Sequence, residues 1–393
     1  MLHTRYARPG GEDLSTASEV DALRRGGVEV AELTLDNGEV LAQGHGAALK
    51  ALWRSPFNRE VYRQVRRFCR RERPEVAHVQ NFWWAMSPAV HAACHDEGVA
   101  TVQSLRNYRL LCVNALLQRK GRPCEDCVGH LPWRGVLHRC YHGSALHSLL
   151  VARMIAANRR RRTWHRDVDM LVALTEFARG RLVAGGLPAE RLVVKPNAVA
   201  DPGPETPPGE GAVFLGRLSA EKGLHTLLAA WRQLPEVPLV VLGDGPLAAE
   251  LKTISAGMPQ VCWLGHRPPS EGFATLRRSG FLVMASEWYE GFPRVIVEAF
   301  ALGRAVIAPR LGSMAEIVAD GRTGLHFRPG DAADLAAQVR RLAADPELCG
   351  QLGAAARREY EARYTPEHNR EQLLAIYRQA RRRFQAEHPE RRG

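Results

Sequence analysis

At 393 residues the chain exceeds the size at which one hydrophobic core usually stops growing, so two domains are expected. Hydrophobic residues at 45% and charged residues at 24% exclude a disordered or collagen-like chain, and no apolar run is long enough for a transmembrane helix. The first residues lack the h-region of a signal peptide, which makes the cytoplasm the expected location, and a net charge of +12 admits anionic partners.

In chain order, the first half alternates helices and strands. Helices are expected at Leu14–Arg25, Arg59–Arg71, Pro88–Glu97 and Phe177–Gly185, and strands at Val28–Leu35, Val76–Val79, Val99–Ser104 and Met170–Leu174. Alternation of this kind predicts a parallel sheet with helices on both faces. Leu192–Lys195 closes this half, and the Pro- and Gly-rich stretch Asp201–Gly211 reads as the interdomain linker. The second half repeats the pattern with strands at Ala212–Leu218, Leu239–Leu242, Val261–Leu264, Phe281–Ala285 and Ala305–Ala308. After the first of these a helix begins, with Leu224, Leu227, Leu228, Trp231 and Leu234 at helical spacing. Two such sheets are expected to face each other across a cleft at their carboxyl ends.

Two loops of the second half carry the chemistry. Arg217 and Lys222 fall in one loop after a strand, where open parallel sheets bind ligands, and two fixed cations there would neutralise a leaving diphosphate without a metal. Glu290 and Glu298 lie in Glu-Gly-Phe-Pro-Arg-Val-Ile-Val-Glu, which follows the apolar run Gly280 to Ser286. Pro293 suits the first turn of a helix running to about Leu302. Glu290 then sits in the strand-to-helix loop and Glu298 more than a turn inside the helix. A helix N-terminus attracts phosphate, and carboxylates beside it accept hydrogen bonds from sugar hydroxyls. The combination predicts a nucleotide-sugar site.

The runs Gly-Arg-Leu-Ser-Ala-Glu-Lys-Gly (216–223), Leu-Gly-Asp-Gly-Pro (242–246), Glu-Gly-Phe…Glu-Ala (290–299) and Asp-Gly-Arg-Thr-Gly-Leu (320–325), in this order, resemble the donor domain of family 4 glycosyltransferases. Pro196-Asn197 resembles that family's Pro-Asn-Gly segment at the domain junction. The resemblance implies the GT-B fold: α/β, with two Rossmann-like, doubly wound domains. It places an acceptor-side domain at 1–196 with a cysteine-containing insertion at about 109–165, and a nucleotide-sugar donor domain at 197–365. A C-terminal helix, 366–393, is expected to cross back to the first domain.

The implied reaction is transfer of a sugar from a nucleotide-diphosphate sugar to a hydroxyl with retention of configuration and no metal cofactor. Glu290, Arg217 and Lys222 are the implied catalytic residues. Gly11, Gly291, Phe292, Arg294, Val295 and Glu298 join them as the donor-binding set. On the acceptor side stand Asp13, Arg106 and Asn107. Arg106 occupies a position where many relatives have histidine; guanidinium cannot act as a base. It is expected to bind phosphate or an acidic sugar, or to pair with a carboxylate. Asp13 reads equally as an N-cap. Relatives have a full strand before the Gly10-Gly11-Glu12 loop, and here only Met1–Tyr6 is available, so either that strand is short or the chain begins upstream.

The resemblance points to synthesis of a cell-surface polysaccharide or glycolipid, with an acceptor carried on a lipid and the protein peripheral at the cytoplasmic face of the membrane. A non-catalytic nucleotide-sugar-binding scaffold and a sugar-nucleotide epimerase of the same fold remain open. The arginine blocks at 66–73, 159–162 and 381–383 read as solvated helix faces or as an attraction to an anionic membrane, aided by Trp53, Phe57, Trp133 and Trp164. No nucleic-acid motif accompanies them. Finally, Cys112, Cys124, Cys127 and Cys140 include one pair at zinc-knuckle spacing, so a structural zinc competes with packed thiols.

Overall fold

The computed structural model describes residues 1–7, 10–203 and 207–391; positions 204–206 of the expected linker lie outside the described residues. The chain divides into two compact units. One comprises Met1–Leu117, Glu125–Pro196 and the residues from Pro366 onward; the other comprises Gln118–Cys124 and Asn197–Thr365.

The strands run, in chain order, β1 (Leu2–Arg5), β2 (Leu33–Asp36), β3 (Val76–Asn81), β4 (Ala100–Leu105), β5 (Gln118–Arg119), β6 (Arg122–Pro123), β7 (Met170–Ala173) and β8 (Leu192–Val194). They continue with β9 (Ala212–Leu215), β10 (Leu239–Leu242), β11 (Val261–Gly265), β12 (Phe281–Val283), β13 (Ala305–Pro309) and β14 (Gly324–Phe327). In the first unit β2-β1-β3-β4-β7-β8 form one sheet whose pairs are all parallel. In the second, β11-β10-β9-β12-β13-β14 form another, again all parallel. β5 and β6 make a small antiparallel hairpin.

Near-continuous apolar sequence drives the second sheet and β7 of the first, whereas β1, β3 and β4 also bury His3, Thr4, His78, Gln80, Gln103 and Ser104. Strands covered on both faces need no polar alternation, and β7, β12 and β13 are buried along their whole length. Three expected strands, β2, β9 and β12, prove at least two residues shorter, β12 ending at Val283. β2 starts at Leu33 rather than Val28: its pairing with β1 begins at Leu2↔Leu33, while Val30 O and Ala31 O are taken by Arg24 and the Met1 amino group instead. β9 stops at Leu215, where the Gly216 loop begins. β14 was not foreseen; it is a short strand at the edge of the sheet, beside β13.

The basic block at 66–73 is the outer face of an amphipathic helix, Arg59–Glu72, which buries Val61, Val65, Phe68 and Cys69. Its Asn58 cap accepts from the N–H groups of Glu60 and Val61. Arg66 and Arg70 both pair with Glu97, so part of that charge is met within the unit. The final helix, Pro366–Glu387, belongs to the first unit and buries Asn369, Leu373, Ile376, Ala380 and Phe384 along one stripe. Ile376, Ala380 and Phe384 share a core cluster with Ala100, Val102, Met170 and Val172. Among the described residues no helix is long and apolar enough to cross a membrane.

Candidate active site

Strand order in the second unit reverses between β9 and β12, and in open parallel sheets the crevice at such a point, outside the carboxyl ends of the strands, receives the ligand. The loops leaving these two strands are the ones that carry Arg217, Lys222 and Glu290. Their shape is set by backbone-to-backbone packing. Gly216 N–H donates to Leu242 O and Leu218 N–H to Asp244 O, both at 3.0 Å, which braces the first loop on the Leu242–Pro246 run. A Cβ on Gly243 would stand 1.8 Å from Gly216 O, and one on Gly245 2.4 Å from Leu218 O. Gly223 has φ +66 and its Cβ would lie 1.9 Å from Ala285 O. Glycine is therefore needed at these points to let the loops touch.

Lys222 and Glu290 meet directly, Nζ to Oε1 at 2.6 Å. The same oxygen accepts from Ser286 Oγ at 2.7 Å and from Trp288 Nε1 at 3.1 Å. The carboxylate is buried, and Lys222 lies 5.8 Å from the centre of the Trp288 ring. All three donors converge on Oε1, so Oε2 is left to accept from elsewhere. A second tie joins the loops: Glu287 N–H donates to Glu221 O at 3.0 Å, and Thr226 Oγ1 donates to Glu287 Oε1 at 2.6 Å. Ser286, Trp288, Glu287 and Thr226 escaped the sequence reading. The only signal for the first two was their position within four residues of Glu290 in one short loop.

Arg217 is exposed on the same loop as Lys222; its carbonyl accepts from Ser219 N–H at 3.0 Å, and its guanidinium has no hydrogen-bond or ion-pair partner among the described residues. The helix after Glu290 begins at Arg294, with Pro293 immediately before it rather than in its first turn. Its first N–H groups have no intrahelical partner. Arg294 Nε stands 3.7 Å from Glu298 Oε1 across one turn. Burial raises the Glu298 carboxyl above its ordinary range, with Arg294 opposing the shift. Phe292 and Val295 pack against the core, and Gly291 O accepts from Ser313 Oγ at 3.2 Å. Their side chains and carbonyl thus hold the loop.

The first unit treats its expected site residues differently. Gly10 is the N-cap of the helix Gly11–Arg25, and no protein atom lies within 4 Å of where a Cβ would stand on either glycine. Asp13 is not an N-cap: it sits in the first turn, where Oδ2 accepts from Gly10 N–H at 2.9 Å and Oδ1 meets His3 Nε2 at 2.8 Å. Asn107 Nδ2 donates to Glu12 Oε1 at 2.9 Å.

Arg106 is buried rather than open, 3.2 Å from Glu19 and 2.8 Å from Gln80 Oε1. Of the three expectations for it, carboxylate pairing is the one present. Lys195, also buried, lies 2.8 Å from Glu19. Burial alone would raise the Glu19 carboxyl, but Lys195 and Arg106 hold it well below its ordinary value.

The zinc expectation fails. Among the described residues no group of three or more His, Cys, Asp or Glu is placed to hold a metal ion. Cys112 Sγ instead donates to Asn114 Oδ1 at 2.9 Å, and burial raises its thiol, disfavouring the thiolate a metal needs. Cys140 packs against an apolar cluster containing Trp83 and Val113. Cys262 is exposed.

Residues 10–198 match the family model "Glycosyl transferase 4-like domain", and residues 205–359 match "Glycosyl transferases group 1". The chain is built from two glycosyltransferase domains. It is 34% identical over 152 residues to the sulfoquinovosyl transferase SQD2 of Arabidopsis thaliana, a match covering 38% of this chain and 29% of that protein. It is 33% identical over 180 residues to the alpha-maltose-1-phosphate synthase of Mycolicibacterium smegmatis, covering 42% of this chain and 46% of the relative. The matches to these curated relatives thus span less than half of their length. Among solved structures, HepE of Anabaena in complex with UDP superposes with a TM-score of 0.67 at 17% identity, covering 95% of this chain and 98% of that one. A sucrose-phosphate synthase from Thermosynechococcus elongatus gives 0.66 at 17%, covering 96% and 98%. These two glycosyltransferase domains, each built on a parallel sheet, have the GT-B fold.

Proposed function

We propose that this glycosyltransferase chain moves a sugar from a nucleoside-diphosphate donor to an acceptor hydroxyl, with retention of configuration and without a metal ion. The supporting observation is the convergence of Lys222, Ser286 and Trp288 on one oxygen of Glu290 at the switch point of the second sheet. An ammonium has three donors, and Glu290 takes one of them, so Lys222 keeps two for the diphosphate. Arg217 and the N–H groups at the start of the helix Arg294–Ala301 add further positive potential there. Glu290 Oε2 accepts a hydroxyl of the donor sugar, and Glu298 holds the nucleotide's ribose.

In the reaction the bond from the anomeric carbon to the β-phosphate oxygen breaks, and a bond to the acceptor oxygen forms on the same face. The acceptor proton passes to the departing diphosphate, so no protein nucleophile is required. Lys222, Arg217 and the helix N-terminus stabilise the charge that builds on that phosphate. The first unit supplies the acceptor side through Asp13 and Asn107. HepE has been solved with UDP and with UDP-glucose, which supports a donor of this class. The product would be a cell-surface polysaccharide or glycolipid on a lipid-borne acceptor, which puts the enzyme at the cytoplasmic face of a membrane.

Glu290→Gln keeps the shape and removes the charge. Turnover of a responsive nucleotide sugar should fall by about 10²-fold or more while calorimetric nucleotide binding persists. Activity should also survive a chelator, and NMR of the product should show the donor's anomeric configuration. Full turnover by Glu290→Gln would refute the role given to this carboxylate.

A further inference from the structure

Three helices of the first unit turn large apolar side chains outward. His45–Arg54, Trp133–Leu137 and Ala145–Arg161 bury their inner faces in one cluster that includes Leu52, Val136, Leu150, Val151, Met154 and Ile155. Their outer faces carry Leu49 and Trp53, Trp133 and Leu137, and Leu146 and Leu149, with Leu137 77% and Trp53 61% exposed. Within each helix the two residues are three or four apart and share a face. Arg153 of the third helix stacks on Trp53 at 3.9 Å, which joins the outer faces of the first and third. Scattered single apolar residues on a surface need no explanation; six on neighbouring helices do.

Charge identifies the occupant. No Asp or Glu occurs between Asp126 and Asp167, nor between Glu39 and Glu60. The same stretches contain Lys50, Arg54, Arg134, Arg139, Arg160 and Arg161. We propose that this face docks on an anionic lipid bilayer, with the leucines and tryptophans entering the interfacial layer and the arginines meeting headgroup phosphates. The inference names the surface behind the membrane location proposed above and rests on that reading. A nucleic acid would use the cations but give Leu137, Leu146 and Leu149 nothing to enter. A second copy of the chain would bring one cationic face against another, and Glu60, the carboxylate bordering these stretches, already pairs with its own chain's Arg54 at 2.8 Å. Trp164, expected to anchor as well, is buried against Phe82 and takes no part.

The test is sedimentation of the full chain with vesicles of phosphatidylcholine alone and of phosphatidylcholine mixed with phosphatidylglycerol. The wild-type chain should bind the anionic vesicles, with a blue shift of tryptophan emission, and release at high salt. Trp133→Ala/Leu137→Ser/Leu146→Ser should weaken binding by at least about tenfold, and each of Arg134→Ala and Arg139→Ala by about fivefold. UDP binding and thermal stability should not change in these variants, which separates failure of docking from failure of the donor site. Absence of binding to anionic vesicles overturns the proposal. So does equal binding by the apolar triple variant, preferential retention on single-stranded RNA, or a dimer that the triple variant splits.

Discussion

Replacing Gly223 with alanine should disturb the proposed donor site from below, without altering Lys222, Arg217 or Glu290 themselves. At φ +66 an L-residue other than glycine costs about 1–2 kcal/mol. The new Cβ would stand 1.9 Å from Ala285 O, where an unstrained C···O contact is about 3.3 Å, so backbone must move by about 1 Å. Forced overpacking of this kind costs about 1–3 kcal/mol, giving a total of roughly 2–5 kcal/mol. For a unit of this size each kcal/mol lowers the melting temperature by about 2–4 °C, so the second unit should melt roughly 5–15 °C early. Ala285 directly precedes Ser286, and Gly223 directly follows Lys222. Whichever segment yields, the 2.6 Å contact between Lys222 and Glu290 is pulled apart and UDP affinity falls with stability. Scanning calorimetry and titration calorimetry read the two effects. Gly257→Ala is the control, since no atom lies within 4 Å of its Cβ position. If Gly223→Ala melts and binds UDP as the wild type does, the packing account of these loops is wrong.

Gly11→Ala should behave in the opposite way: no loss of stability, because nothing in the protein meets the added carbon, but weaker binding of an intact nucleotide sugar if the first-unit loop approaches the donor. Unaltered affinity would remove Gly11 from the site. Stability should also fall on acidification. Burial lowers His78 and His91 from 6.5 to about 3, so the folded chain keeps them neutral while the unfolded chain takes up protons below pH 6.5. The loss is about 1.4 kcal/mol per pH unit per imidazole, or about 3 kcal/mol for the pair at pH 5.5. Glu19, whose folded carboxyl is depressed, contributes above about pH 4.5 and is lost below it, in the same direction. Urea unfolding at pH 7 and pH 5.5 measures the difference, and equal midpoints would show that these imidazoles are not held neutral.

The meeting of Lys222 and Glu290 was readable because it is set locally. Lys222 and Glu290 each sit a few residues after a strand, and strand ends in a parallel sheet fix where such residues go. The Gly-rich runs were readable for the same reason, though their purpose was not: in the second unit glycine answers to carbonyls of a neighbouring loop. Arg106 was harder. Its own neighbourhood, a polar run after a strand, suggests exposure, and only Glu19 and Lys195, brought in from a helix and a strand end distant in sequence, turn it into a buried pair. Charge pairing across the chain leaves no mark on local sequence. The cysteines mislead by the same route, since spacing gives two ligands at most and the remaining ones depend on tertiary placement. Ser286 and Trp288 carry no signature either, because serine and tryptophan beside a carboxylate are common and only the loop's curl brings both to Oε1.

The two halves use glycine for opposite ends. Gly223, Gly243 and Gly245 are filled around by the protein itself, so their conformational freedom is consumed in building the second-unit crevice. Gly10 and Gly11 face open space at the start of a helix, at a position where residues with side chains would cap or propagate it better. A glycine pair kept where the fold does not require it, next to N–H groups with no intrahelical partner, is best accounted for by a group that approaches the backbone from outside. An anionic group is the chemistry those N–H groups suit.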